Sequence, residues 1–255
     1  MPSRSVGNAR IRFHPRSVIG GLGIVHNIRT TAITITGEQL QLKMKIALIT
    51  ANIGNFDGVN IPVKQLGANI DYYCYTENNL PCPLPHLNNR LKGKYIKMMT
   101  HRFLPNYDYY VWIDGNVFVH SDFFALDMVE KGWDISICKH HERKDVYEEI
   151  DYIIENMNAG SPYLLKRYKD EPWYEEYDFY LKSGMPDIPL YACKFFARRN
   201  TPRVNRAFEE WWMKTLEYSN FDQTMFSWVT WRFGLSIREL DYKKKVEQHL
   251  KISKH

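Results

Sequence analysis

Asp114, Gly115 and Asn116 close the run YDYYVWID at 107–114, the strongest strand candidate in the chain by aromatic and β-branched content. A carboxylate is costly inside a sheet and useful at its rim, where Asp114 can hold a divalent cation whose other ligands come from a diphosphate. Gly115 allows close backbone approach, and Asn116 offers only a neutral oxygen. The same three residues also make an ordinary hairpin turn, so the motif alone leaves turn and site both open.

A second cluster is KHHERKD at 139–145, directly after the strand-like WDISICKH. Adjacent His140 and His141 point in different directions from an extended backbone and form no joint ligand pair. Arg143 and Lys144, at the start of a helix capped by Asp145 and Glu148, can meet a phosphate or a leaving group, or can simply be a solvated loop. A third is the face made by Lys94, Lys97 and His101, whose i, i+3, i+7 spacing turns cations to one side of a helix. The fourth is Asp222-Gln223, where helix capping accounts for the Asp and leaves the Gln without a reason. Trp173, in the polar segment YKDEPWYEEYDFY, is a candidate for stacking on a ligand.

These residues need a scaffold, and the pattern of elements supplies one. IALIT at 46–50 reads as a strand covered on both faces, with the turn-rich NIGNFDG following it. IDYYCYT at 70–76 is the next strand, and NNLPCPLPHLNN at 78–89 a Pro-rich loop. A helix is expected over 94–104, stopped by Pro105. Asp145, Thr201-Pro202 and Asp222 start three more helices, of which the second carries Val204, Ala207, Phe208, Trp211 and Trp212 as a core-facing stripe. Strands separated by helices predict an α/β sandwich with a mostly parallel sheet, and ligands in such folds sit beyond the carboxyl ends of the strands.

Length and charge set the limits. The chain has 255 residues, 44% apolar, 25% charged and 15% aromatic, which excludes wholesale disorder and fibrous folds and favours wide, partly polar clefts. The net charge of +5 is concentrated before residue 44, where Arg4, Arg10, Arg12, Arg16, Arg29 and Lys43 face only Glu38. The remainder is balanced, which gives nucleic acid no purchase on the globular part. Residues 1–43 are therefore expected as a dispensable basic tail, 44–240 as the domain, and 241–255 as a charged C-terminal tail. No apolar run approaches the roughly 20 residues of a membrane span, so membrane contact is at most peripheral. Cys74, Cys82, Cys138 and Cys193 form no CxxC pair, and reduced thiols in a cytoplasmic setting are expected.

Five segments in order extend this reading: KIALITANIGNFD, KYIKMMTHRFLPNYDYYVWIDGNVFV, ISICKHHERKDVYEEIDYII, IPLYACKFFARR and FDQTMFSW. Together they resemble the glycosyltransferase-like family that includes plant mucilage-related and bacterial polysaccharide-locus proteins, over roughly 44–240. The resemblance implies a nucleotide-sugar transferase of the GT-A type with a metal-binding acidic motif after a central strand. Asp114 matches the leading acid of that motif and Asn116 its third position, a departure from the usual two acids. Asp222-Gln223 matches the pair near the acceptor. The reaction expected is sugar transfer from a nucleoside diphosphate donor to a glycan or other hydroxyl acceptor, with Mn²⁺ or Mg²⁺ at Asp114.

In this scheme the loop from Asn52 to Asp57 holds the nucleotide, and Lys97, Arg143 or Lys144 steadies the leaving diphosphate. Asp222 takes the acceptor proton in an inverting mechanism or stabilises an oxocarbenium-like centre in a retaining one. Two other readings compete. A metal-dependent hydrolase would use His140, His141 and Asp114 around a bound water, and a carbohydrate-binding protein would need no catalysis at all.

Overall fold

The computed structural model describes residues 44–57, 62–67 and 69–253, all within one compact unit. The basic stretch at 1–43 lies outside the described residues. In chain order the strands are β1 (Ile46–Ala51), β2 (Ile70–Tyr75), β3 (Tyr109–Ile113), β4 (Val117–Val119), β5 (Ile135–Lys139), β6 (Tyr191–Arg199), β7 (Ile237–Leu240) and β8 (Leu250–Ile252). The helices are α1 (Asn89–Phe103), α2 (Phe124–Met128), α3 (Val146–Asn158), α4 (Pro162–Tyr168), α5 (Trp173–Ser183), α6 (Pro202–Glu217), α7 (Asp222–Arg232) and α8 (Tyr242–His249).

Six strands form the main sheet in the order β2-β1-β3-β6-β5-β7. Only β6 runs against the others, antiparallel to both β3 and β5, so the sheet is mostly parallel as expected. The alternation of side chains along a strand divides the core in two. Ala47, Ile49, Tyr110, Trp112 and Phe196 face one layer, which contains the stripe of α6 with Phe208 and Trp211. Ile46, Leu48, Val111, Ile113 and Phe195 face the other, against Phe124 and Met128 of α2. Burial on both faces explains why the first strand is one continuous apolar run.

Local chemistry sets most helix starts. Asn88 caps α1 by accepting from Leu91 N at 2.9 Å, Thr201 caps α6 ahead of Pro202, and Asp145 caps α3 through Glu148 N. The cap at Asn88 moves the start of α1 five residues ahead of the expected Lys94. Trp173, read from the sequence as a ligand platform, is instead 3% exposed and packs edge-on against Tyr168 and Phe221.

Residues 241–253 are no tail. Asp241 caps α8 through Lys244 N, and Lys245 and His249 reach back to the carboxylate of Asp127 on α2. Strand β8 then pairs antiparallel with β4, Val117 facing Ile252. The high charge of this segment misleads because its cations have the half-buried carboxylate of Asp127 to meet, while Leu250 enters the core at 3% exposure. Ending the chain at Leu240 strips Asp127 of two partners and uncovers that core. The lost core burial is expected to cost about 2–5 kcal/mol, lowering the melting temperature by roughly 10 °C for a domain of this size. An unchanged melting curve would restore the tail reading.

A candidate active site at the strand ends

Strands β1 and β3 are parallel neighbours, so the loops leaving their carboxyl ends emerge side by side. After β1, the Asn52 side chain closes its own loop: Nδ2 donates to Asp57 O at 2.6 Å, and Asp57 N donates to Asn52 Oδ1 at 3.1 Å. That closure sets the Asp57 carboxylate against the backbone after β3. A Cβ on Gly115 would lie 2.4 Å from Asp57 Oδ2, so glycine is what lets the two loops meet. The antiparallel strand β6 brings Cys193 and Lys194 to the same rim, where Asp114 N donates to Lys194 O at 2.7 Å. Above the rim lie α1 and the first turn of α7. Together these elements enclose a cavity of about 430 Å³, within the range of small-molecule sites.

Lys97 organises the floor of this cavity. Its side chain is 3% exposed, and its ammonium donates to Asp222 Oδ2 at 2.5 Å, to Cys193 O at 2.7 Å and to Asp114 Oδ1 at 3.3 Å. Those three acceptors use all three of its protons. Asp114 Oδ1 also accepts from Trp112 Nε1 at 2.7 Å, and Lys94 stands 3.4 Å from Asp222 Oδ2. Two carboxylates thus share two ammoniums, one of which is wholly enclosed.

The protonation states follow from that arrangement. Burial disfavours a charged Lys97, but Asp114 and Asp222 outweigh it and push its pKa up. Burial also works against an ionised Asp222, and the ammoniums of Lys94 and Lys97 more than reverse this, holding its carboxyl well below the usual range. Lys94 goes the other way: burial lowers its pKa, with partial compensation from Asp222.

Capping does not account for Asp222. It is the first residue of α7, whose N-cap is Phe221, and no side chain caps the helix. The approach to α7 is held from α5 and its preceding loop instead. The buried carboxylate of Glu176 accepts from Ser219 N and Thr224 Oγ1, and Glu171 accepts from Asn220 N. The Asp222 carboxylate is thereby left to face the lysines.

Of the residues singled out in the sequence, the structure brings Asn52, Asp57, Lys97, Asp114, Asn116, Asp222 and Gln223 to the wall of one cavity. It leaves His141, Arg143 and Lys144 outside. Their loop follows β5, and β6 separates β5 from β3 in the sheet, a strand order that the sequence does not encode locally. His141 stacks on Tyr242 with ring centroids 4.8 Å apart, and Lys144 is exposed beside Asp145 and Glu148. Burial and the nearby Arg143 push the neighbouring His140 down to about 4. Arg143 reaches the cavity only through a relay, pairing with Glu149, whose other oxygen accepts from Gln223 Nε2 at 3.3 Å. Its part is therefore to position Gln223. His101 also turns away. Arg198, a pure donor, contacts its Nδ1 at 3.3 Å, which leaves Nε2 to donate to Glu209 at 3.0 Å, and burial with Arg198 lowers its pKa to about 4.

Several lining residues escaped the sequence reading. Arg90 lies over the Tyr168 ring and donates to Arg167 O and Asn220 Oδ1. Arg167 lies 5.0 Å from the rings of both Phe56 and Tyr163 at the cavity mouth. Arg90 lies between the expected loop at 78–89 and the expected helix at 94–104, and no helix is expected at α4, although Ser161-Pro162 is a helix-start signal of the kind used elsewhere in the chain.

The donor set does not fit a resident divalent cation. Asp114 Oδ1 already accepts from both Lys97 and Trp112. Asn116 is 4% exposed, and its Nδ2 donates to Ser253 O at 3.0 Å while its backbone O accepts from Ser253 N. Asn116 thus fastens the C-terminal segment through its amide nitrogen and its backbone oxygen. Among the described residues no group of three His, Cys, Asp or Glu side chains is arranged to hold a metal ion, and no helix is long and apolar enough to cross a membrane.

Comparison with known proteins bears on this arrangement. Probable hexosyltransferase MUCI70 of Arabidopsis thaliana is 27% identical over 160 residues, which cover 57% of this chain and 26% of the relative. The match thus spans about a quarter of that protein's length. Among solved structures, the chain is similar to the WbbM bifunctional glycosyltransferase in its apo form, at 13% identity and a TM-score of 0.44, covering 78% of this chain and 39% of the other. It is also similar to apo mouse xyloside xylosyltransferase 1, at 10% identity and a TM-score of 0.39, covering 78% and 85%. Residues 82–249, which take in α1, both acidic positions and the relay through Glu149, match the family described as TOD1/MUCI70, glycosyltransferase-like domain, and the chain belongs to that family.

Proposed function

We propose that this chain transfers a sugar, of the hexosyl class by analogy with the relative's name, from a nucleoside diphosphate donor to a hydroxyl acceptor in polysaccharide or glycoconjugate synthesis. The observation that carries this reading is the convergence of Asp57, Asp114, Asp222, Lys94 and Lys97 on one cavity beyond the carboxyl ends of β1 and β3. The ammonium of Lys94 faces the charge that develops on the departing diphosphate. The loop from Asn52 to Asp57 and the aromatic Phe56 and Tyr163 hold the nucleoside. Asp222, ionised throughout the neutral range, suits the stabilisation of an oxocarbenium-like centre better than proton abstraction, since a base works best with a pKa near the working pH. The hydrolase reading loses support because His140 and His141 do not line the cavity.

A thermal-shift screen of the whole chain against nucleotide sugars, followed by assay of sugar transfer to oligosaccharide acceptors, tests the reading. A cognate donor at 100 times its dissociation constant is expected to stabilise the fold by about 2.7 kcal/mol. Stabilisation by free oligosaccharides alone, with no donor consumed, would support the binding-protein alternative instead.

A further inference from the structure

We infer that Lys97 stands in the place a catalytic divalent cation would need, and that the cavity binds the diphosphate of its ligand through side-chain cations without a metal. The inference deepens the donor reading and rests on it for the identity of the ligand, but its chemistry can be tested separately. A cation bridging Asp114 and Asp222 must enter between their oxygens, and that space holds an ammonium with all three protons bonded inside the protein. Displacing it would leave a charged group buried without acceptors, a penalty of the kind that makes broken buried ion pairs strongly destabilising.

The third position of the acidic motif offers only a neutral amide, 4% exposed and held to Ser253 through its nitrogen. Meanwhile the cavity offers positive charge of its own. Lys94 has one ion pair, at the long distance of 3.4 Å. Arg90 and Arg167 line the same space, and neither is paired with a carboxylate among the described residues. The Nε of Arg167 is buried with no hydrogen-bond partner there, and a buried guanidinium proton left unmatched calls for an anionic acceptor. The cavity wall carries five cations, Arg90, Lys94, Lys97, Arg167 and Lys194, against the three carboxylates of Asp57, Asp114 and Asp222, and the excess of two positive charges is left to meet a dianionic diphosphate.

The test uses the full chain stripped with EDTA and inorganic pyrophosphate as the probe, read by calorimetry. Pyrophosphate is expected to bind in EDTA, with an affinity that changes by less than roughly threefold when Mn²⁺ replaces the chelator. Lys94→Gln and Arg167→Gln should each weaken it by roughly tenfold or more, the worth of one charged hydrogen bond. In parallel, Mn²⁺ titrated alone and followed by electron paramagnetic resonance should find no site in the wild type, whereas Lys97→Ala, which frees two carboxylates, should acquire one.

Pyrophosphate binding that requires Mn²⁺, no pyrophosphate binding under either condition, or a wild-type Mn²⁺ site would each overturn the inference. If Lys97→Ala does not fold, the wild-type titrations and the two Gln variants decide. Metal-free pyrophosphate binding without any nucleotide-sugar turnover would defeat the donor reading and leave this one standing. Metal-dependent sugar transfer would do the reverse.

Discussion

Replacing Asp222 with Asn is expected to reduce sugar transfer by roughly a hundredfold or more, the usual worth of a charged group positioned at a reacting centre. Size and one hydrogen-bonding oxygen are kept, so Lys97 retains Asp114, Cys193 O and an amide oxygen. Lys94 keeps an amide oxygen in place of its carboxylate partner. The stability cost should therefore stay near about 2 kcal/mol, a charged hydrogen bond weakened but not orphaned. Helix α7 should start as before, because Asp222 does not cap it.

The dependence on pH carries its own sign. A carboxylate whose pKa is depressed on folding contributes stability above the unfolded value near 4 and loses it only as pH falls below that. Asp222 thus adds no ionisation between pH 5 and 8, and the turnover profiles of wild type and Asp222→Asn should differ in height and not in shape. A wild-type acid limb near pH 6 that the variant lacks would make Asp222 a base after all. Turnover within a few-fold of wild type would reduce it to an anchor for the lysines.

Asp114→Ala is expected to separate binding from turnover. The side chain is 35% exposed at a strand rim, so the fold should survive. Turnover should fall by roughly a hundredfold as Lys97 and Trp112 lose the acceptor that orients them. Pyrophosphate affinity should hold or improve, since one negative charge has left a cavity that attracts anions through lysine and arginine. Loss of pyrophosphate binding together with turnover would instead mean that Asp114 holds a cation on which the ligand depends.

What the sequence disclosed and what it concealed divide along a physical line. Asp114 and the Asn52 to Asp57 loop were legible because a strand that is apolar on both faces must end where its chain turns polar. Lys94 and Lys97 were legible because helical spacing places them on one face. The association of those parts was not, since it depends on strand order. His141, Arg143 and Lys144 follow a strand as plausible as β3, and only the insertion of β6 between β3 and β5 removes them from the cavity. Asp222 concealed its role for another reason: an acid at a helix start has a sufficient local explanation, and the competing partner lies 125 residues away in sequence. The C-terminal segment was missed because its charges look solvated until Asp127 is placed beneath Lys245 and His249.

The pairing of Asn116 with Ser253 has a consequence for the order in which the protein comes into being. The acidic motif is translated before half the chain exists, yet the backbone just past it is fastened by residues 250–253. A ribosome that has released β1, α1 and β3 has exposed Asp57, Asp114, Lys94 and Lys97 without the clasp that fastens the turn after Asp114. The nascent domain can begin to collapse from its N-terminal side, but its acidic loop stays unsecured until 250–253 clear the exit tunnel. Synthesis thereby carries a built-in delay, and a chain cut short before that point holds the motif in its sequence without the fastening that completes it.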